Sequence, residues 1–185
     1  IPPPPKPETG TIVDDLAGDT DGARKAWAPM KNTAGVSVVE TAGRRILRMP
    51  CNFASTRIER ASWDRRLSLD MAACLGLAFE FYCPDTTPIS HFSLYFKSGD
   101  GWYSAGFHPA PGHWQTVAVT KEQTRTEGSR AGWGRVEAVR ISAWRGANRD
   151  TAFYIAGLRL TGGDAPIAVI RGRGDGAGRY AANVV

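Results

Sequence analysis

Long hydrophobic runs are missing from this 185-residue chain. No window holds about 18 consecutive apolar residues, the length a helix needs to cross hydrocarbon, and no basic stretch leads into an apolar one as in a secretory leader. Neither a membrane span nor a signal peptide is expected in it, although a leader removed ahead of residue 1 would leave the same sequence. Cysteine is scarce: Cys51, Cys74 and Cys83 are the only three, too few for a disulfide framework and at a spacing that fits no zinc motif. Cys74 and Cys83 flank an expected strand that would hold them about 30 Å apart at roughly 3.3 Å per residue, so Cys51 is the one able to pair with either. Buried free thiols are the simpler expectation. His91, His108 and His113 are not placed as helical metal ligands.

Catalytic signatures are also missing. No Gly-x-Ser-x-Gly elbow occurs, and no strand carries the closely spaced acids that would set two carboxylates about 5 to 10 Å apart across a glycosidic bond. Nor is there a basic block. The net charge is +5, from 23 basic and 18 acidic side chains, but Arg44, Arg45, Arg57, Arg60, Arg65 and Arg66 alternate with acids and apolar residues. They read as a solvated surface, and without a recognisable nucleic-acid module no nucleic-acid partner is expected.

Turn formers are plentiful, with Gly 21 and Pro 12, and the apolar runs between them are short. The opening "IPPPPKPETG" favours extended polyproline II without internal hydrogen bonds, so residues 1–10 read as a Pro-rich linker. Strands are expected at Val36–Glu40, Ile46–Met49, Arg57–Arg60, Leu75–Cys83, His91–Lys97, Trp102–Phe107, Trp114–Thr120, Val136–Trp144 and Phe153–Leu160. That spacing, without an amphipathic helix of four turns, predicts an all-β, two-sheet antiparallel β-sandwich over 11–162. Asp100-Gly101 is the expected hairpin turn, because Asp and Gly best tolerate the positive φ of primed turns. Residues 163–185 change character: the apolar Ile167–Ile170 run followed by glycines reads as a linker or the start of a truncated α/β domain. Gly172, Gly174 and Ala177 imitate a dinucleotide fingerprint, but too little chain follows for a βαβ unit. Arg173-Gly174-Asp175 is assigned no adhesive role.

Alternation sorts faces, since successive side chains on a strand point opposite ways. Leu77, Phe79, Phe81 and Cys83 form one apolar set, with Phe92, Leu94 and Phe96 and then Val139, Ile141 and Ala143 continuing it. The opposite parity carries Glu80, Tyr82, Tyr95, Lys97, Arg140 and Trp144: either Tyr82, Tyr95 and Trp144 are ordinary cross-strand partners on a solvated or loop-covered sheet, or all six line one sheet face together as a ligand platform. Trp102 and Tyr103 must face opposite ways, so only one of them, taken as Trp102, joins it. Aromatic planes beside charged groups suit a polysaccharide: the rings take the C–H faces of sugars and the charges bond the hydroxyls. Trp114 and Trp133, at strand starts, are assigned mainly to packing.

The segments "VDDL", "GHWQTVAV", "GWGRVEAVRISAW" and "TAFYIAGLRL", in that order over about Thr11 to Gly162, resemble the jelly-roll, galactose-binding-like carbohydrate-binding modules attached to bacterial glycoside hydrolases. The resemblance implies a non-catalytic module that targets an attached carbohydrate-active enzyme to a polysaccharide or oligosaccharide. Such a module would be monomeric, free of membrane, and secreted to an extracellular or periplasmic site. Its alternatives are a structural accessory domain of a multidomain hydrolase and a jelly-roll polysaccharide lyase. "YFKSGDGWY" is similar to the tyrosine strand of alginate lyases, but "RTEG" follows that strand instead of preceding it, and no Gln-x-His accompanies it. The resemblance also implies calcium near the first strand, with Asp14, Asp19 and Asp21 as ligands through hard carboxylate oxygens. The closing strand departs from the family there, with Ala156 and Gly157 where an acid or amide is common, and a plain acidic loop with Asp-Gly turns remains the alternative.

Overall fold

The computed structural model describes residues 1–6, 10–14 and 18–162, and the backbone of 171–172. The reading of 163–185 as a linker or domain start otherwise lies outside the described residues. In chain order the elements are β1 (Thr11–Asp14), α1 (Thr20–Ala26), β2 (Trp27–Pro29), β3 (Ser37–Thr41), β4 (Arg44–Cys51), β5 (Arg60–Leu69), β6 (Gly76–Tyr82), β7 (Ile89–Ser98), β8 (Asp100–Phe107), β9 (Gln115–Thr120), β10 (Arg125–Ser129), β11 (Val136–Arg145), β12 (Thr151–Thr161) and β13 (Arg171–Gly172). They build two antiparallel sheets, as expected for a jelly-roll sandwich. The first runs β3-β4-β12-β6-β9, with β1 also on β12; the second runs β10-β8-β7-β11-β5-β13, with β2 also on β5.

The apolar parity sets meet between the sheets. Phe81 stacks on Phe153 at 5.4 Å and Phe92 on Phe107 at 5.3 Å, while Trp63 meets Phe153 edge-on at 5.8 Å. Such pairs add roughly 0.5–1.5 kcal/mol each beyond the area they bury.

The largest departure from the sequence reading is β5, a ten-residue strand where only Arg57–Arg60 was expected. Ala61, Trp63, Arg65, Leu67 and Leu69 all point inward and are buried. An arginine at the middle of that inward set hides the alternation. Arg65, read above as surface, is fully buried, because Nε donates to Asp14 Oδ2 at 3.1 Å in a sealed ion pair. The short helix α1 was likewise not expected; Asp19 caps it, Oδ1 accepting from the Gly22 N–H at 2.8 Å.

The β7–β8 hairpin forms, but one residue earlier than the Asp100-Gly101 reading. Ser98 pairs with Gly101, so Gly99 and Asp100 make the turn, with Gly99 at φ 58°. Gly101 is instead required by close approach: a Cβ there would stand 2.4 Å from the Glu127 carbonyl oxygen of β10.

Candidate functional site

The expected single face divides in two. Glu80 and Tyr82 lie on β6 in the first sheet, whereas Tyr95, Lys97, Trp102, Arg140 and Trp144 lie on β7, β8 and β11 in the second. Equal parity on two strands says only that both side chains point away from the core, and a sandwich has two outward faces.

Glu80 is 1% exposed and paired with Arg159 at 2.7 Å, with the Thr116 hydroxyl donating to its other oxygen at 2.7 Å. Tyr82 sits between Trp114, at 5.5 Å between ring centroids, and Tyr154, at 6.1 Å. Both are committed to the first sheet's own packing.

The second sheet carries the candidate site, and its register sets the layout. One row crosses the strands as Arg125, Ser104, Tyr95, Arg140 and Asp64. A parallel row holds His91, Trp144 and Arg60. Between them runs a row of small residues, Gly106, Ser93, Ser142 and Ser62. Small side chains between two tall rows make a trough across the strands. Arg60 spans it at the β5–β11 end: its guanidinium lies 4.8 Å from the Trp144 ring and 5.6 Å from the Tyr95 ring, and Nη1 donates to the Tyr95 hydroxyl at 3.3 Å. Beneath it the Ser62 and Ser142 hydroxyls share a 2.5 Å hydrogen bond.

Toward β7 and β8 the trough opens into a cleft of about 390 Å³, lined by His91, Ser93, Tyr95, Ser104, His108 and Arg125 among others. Its polar groups converge from β7, β8 and the β10 edge.

The rings at the site are held by an imidazole and by basic side chains. Trp144 is stacked by His91 at 5.3 Å and 9° from the β7 side, and by Arg60 from the β5 side, while its Nε1–H donates to Ser93 Oγ at 2.9 Å. Arg140 lies 4.4 Å from the Trp102 ring and Lys97 5.1 Å. Arg140 is itself fixed by a two-pronged pair with Asp64, at 2.6 and 2.9 Å. Tyr103 turns inward against Trp133, 3.9 Å between centroids, and Trp102 outward, in line with the parity argument.

Sequence reasoning missed Arg60, His91, Ser93, Ser104, His108 and Arg125. The parity that selected Tyr95 also contains His91 and Ser93, and that of Trp102 contains Ser104 and Gly106, so most of the cleft was within reach. Arg125 was not, because "RTEGS" lacks any apolar alternation to mark β10.

The aspartates proposed as calcium ligands are engaged separately. Asp14 is buried, accepting from Arg65 and from Trp27 Nε1 at 3.2 Å, and Asp19 caps α1, with Asp21 in the helix's first turn. Among the described residues no group of three or more His, Cys, Asp or Glu side chains is arranged to hold a metal.

No protein-family model and no curated protein matches the chain in sequence. Solved structures match it in fold. A family 11 carbohydrate-binding module from Clostridium thermocellum, in complex with a β-1,3-1,4-mixed-linked tetrasaccharide, superposes with a TM-score of 0.61 at 12% identity, over 85% of this chain and 98% of that one. A carbohydrate-binding module specific for non-crystalline cellulose, CBM28, gives 0.55 at 13% identity, over 84% and 96%. An agarase gives 0.60 at 13% identity over 85% of this chain, which spans only 25% of the enzyme. The fold is therefore the β-sandwich of carbohydrate-binding modules.

Proposed function

We propose that the chain is a non-catalytic carbohydrate-binding module whose ligand lies in the trough on the second sheet. The supporting observation is the cleft between the His91–Trp144–Arg60 row and the Tyr95 row, where hydroxyl, imidazole and guanidinium groups converge beside fixed aromatic rings. Sugars demand this mixture, because each ring presents an apolar face and a rim of hydroxyls. The cationic caps hold the rings at set angles, so little side-chain freedom is lost on binding. Carbohydrate-binding modules sharing the fold add to the reading, and the agarases, of which the matching portion is a fraction, favour attachment to a catalytic domain of the same polypeptide. Secretion and a monomeric state belong to the same proposal.

Affinity electrophoresis against neutral and acidic polysaccharides tests it. Retardation without product is expected, and stronger retardation at low salt would identify an acidic glycan, since exposed charges are screened at about 0.1 M. Unsaturated product absorbing in the ultraviolet would convert the chain to a lyase. No retardation by any polysaccharide would leave a structural accessory domain.

A further inference from the structure

The Pro-rich segment is not a free spacer over its described part. Ile1 to Lys6 lie against residues of the first sheet, not the sheet that carries the trough, and Pro4 is buried. Polyproline II has no internal hydrogen bonds, so its carbonyls need outside donors, and four of them find side chains. The Thr41 hydroxyl donates to Ile1 O at 3.3 Å, Trp114 Nε1 to Pro2 O at 2.7 Å, and Arg44 Nη1 to Pro4 O at 2.5 Å and Pro5 O at 2.6 Å. Thr41 and Arg44 belong to the β3–β4 edge and Trp114 leads into β9 at the other edge, so donors from both edges of the sheet converge on the segment. Beside it, Trp114, Tyr82 and Tyr154 form a continuous row of rings.

We propose that this face is a polyproline-recognition groove whose resident ligand is Ile1–Pro5. The chemistry that such recognition requires is present: an aromatic row, an indole N–H aimed at a proline carbonyl, and a guanidinium bridging two successive carbonyls. A Pro-rich segment pays little entropy to dock because its extended form is already set, and being tethered raises its effective concentration. A segment fastened on the first sheet leaves the trough on the second sheet uncovered. The groove does not depend on the carbohydrate reading.

The test begins with the unmodified chain. The Trp114 indole N–H resonance, identified by its loss in Trp114→Phe, should exchange with solvent at least tenfold more slowly than a free indole, and Arg44→Ala should reduce that protection several-fold. In a full-length chain carrying Pro2→Gly, Pro3→Gly, Pro4→Gly and Pro5→Gly, the protection should vanish. That chain should then bind the free peptide Ile-Pro-Pro-Pro-Pro-Lys, as followed by Trp114 chemical shift, with at least tenfold weaker binding when Arg44→Ala is added. Exchange as fast as a free indole in the unmodified chain overturns the proposal, whether or not the glycine chain folds. So does a folded glycine chain that ignores the peptide at millimolar concentration, or one whose Trp114 responds to oligosaccharide and not to peptide.

Discussion

Trp144 shows how much one side chain's setting decides. It stands between His91 and Arg60 with its N–H bonded to Ser93, so its broad faces are filled and it serves the trough as a wall. Trp144→Ala should remove one cation–π contact and one hydrogen bond, lowering stability by about 1–2 kcal/mol, and should release Arg60 and His91 so that polysaccharide binding falls more than tenfold. Chemical denaturation and affinity electrophoresis measure the two. A stability loss of about 3–5 kcal/mol with unchanged binding would make the ring a packing residue. The three thiols are free, and burial, the largest cause for each, raises all of them above the ordinary value of 9.0, with Cys83 pushed up to about 11. Thiols whose folded value is raised favour the native state fully below the unfolded value and lose that contribution as pH rises through the folded one. The melting temperature should therefore decline from about pH 9 upward, and a thiol reagent at pH 8 should modify half-buried Cys74 before buried Cys51 and Cys83.

Strand β6 is buried on both faces, although its parity reads as one apolar side and one mixed side. Leu77, Phe79 and Phe81 face the core, and Ala78, Glu80 and Tyr82 are covered as well. Glu80 and Arg159, each 1% exposed, form a sealed ion pair between β6 and β12. Removing one partner strands the other charge, so Glu80→Ala should cost about 3–5 kcal/mol without changing affinity for polysaccharide. Thermal unfolding together with a binding assay separates this from a ligand-binding role: weaker binding in a variant of unchanged stability would return Glu80 to the site. Strand β5 is held on a similar principle, with Arg65 buried against Asp14 of β1 across the sandwich.

The whole sandwich carries a trough on the second sheet and, on the first, an aromatic row beside the Pro-rich segment, the two sheets joined by an apolar core. That core encloses two ion pairs, Arg65–Asp14 and Arg159–Glu80, either of which is costly to break by removing one partner. With Asp14 committed to Arg65 and Asp19 to the α1 cap, excess chelator should leave the melting temperature unchanged. A ligand that binds only the folded state would raise it by an amount set by RT ln(1 + [L]/Kd), so a clear fall on chelation would bring calcium back to the start of α1.

Local pattern alone determined the fold class and the inward residues of three core strands, though not those of β5. Period-two alternation in "LAFEFYC", "HFSLYFK" and "VRISAW" named inward residues that are all buried, because burial on one face of a strand imposes that period. It also placed Tyr95, Lys97, Arg140 and Trp144 outward and set Trp102 and Tyr103 on opposite faces, leaving tertiary packing to turn Tyr103 in and Trp102 out. Three things were decided by tertiary structure. Which outward face each strand supplied depended on strand order, so Glu80 and Tyr82 went to the other sheet. Whether an arginine was solvent-facing or sealed depended on a carboxylate 51 positions away, Asp14 beneath Arg65. Whether prolines made a free spacer or a docked segment depended on donors from Thr41, Arg44 and Trp114, the last 112 positions from its acceptor. Alternation reports the two sides of one strand; only long-range pairing says what lies against each side.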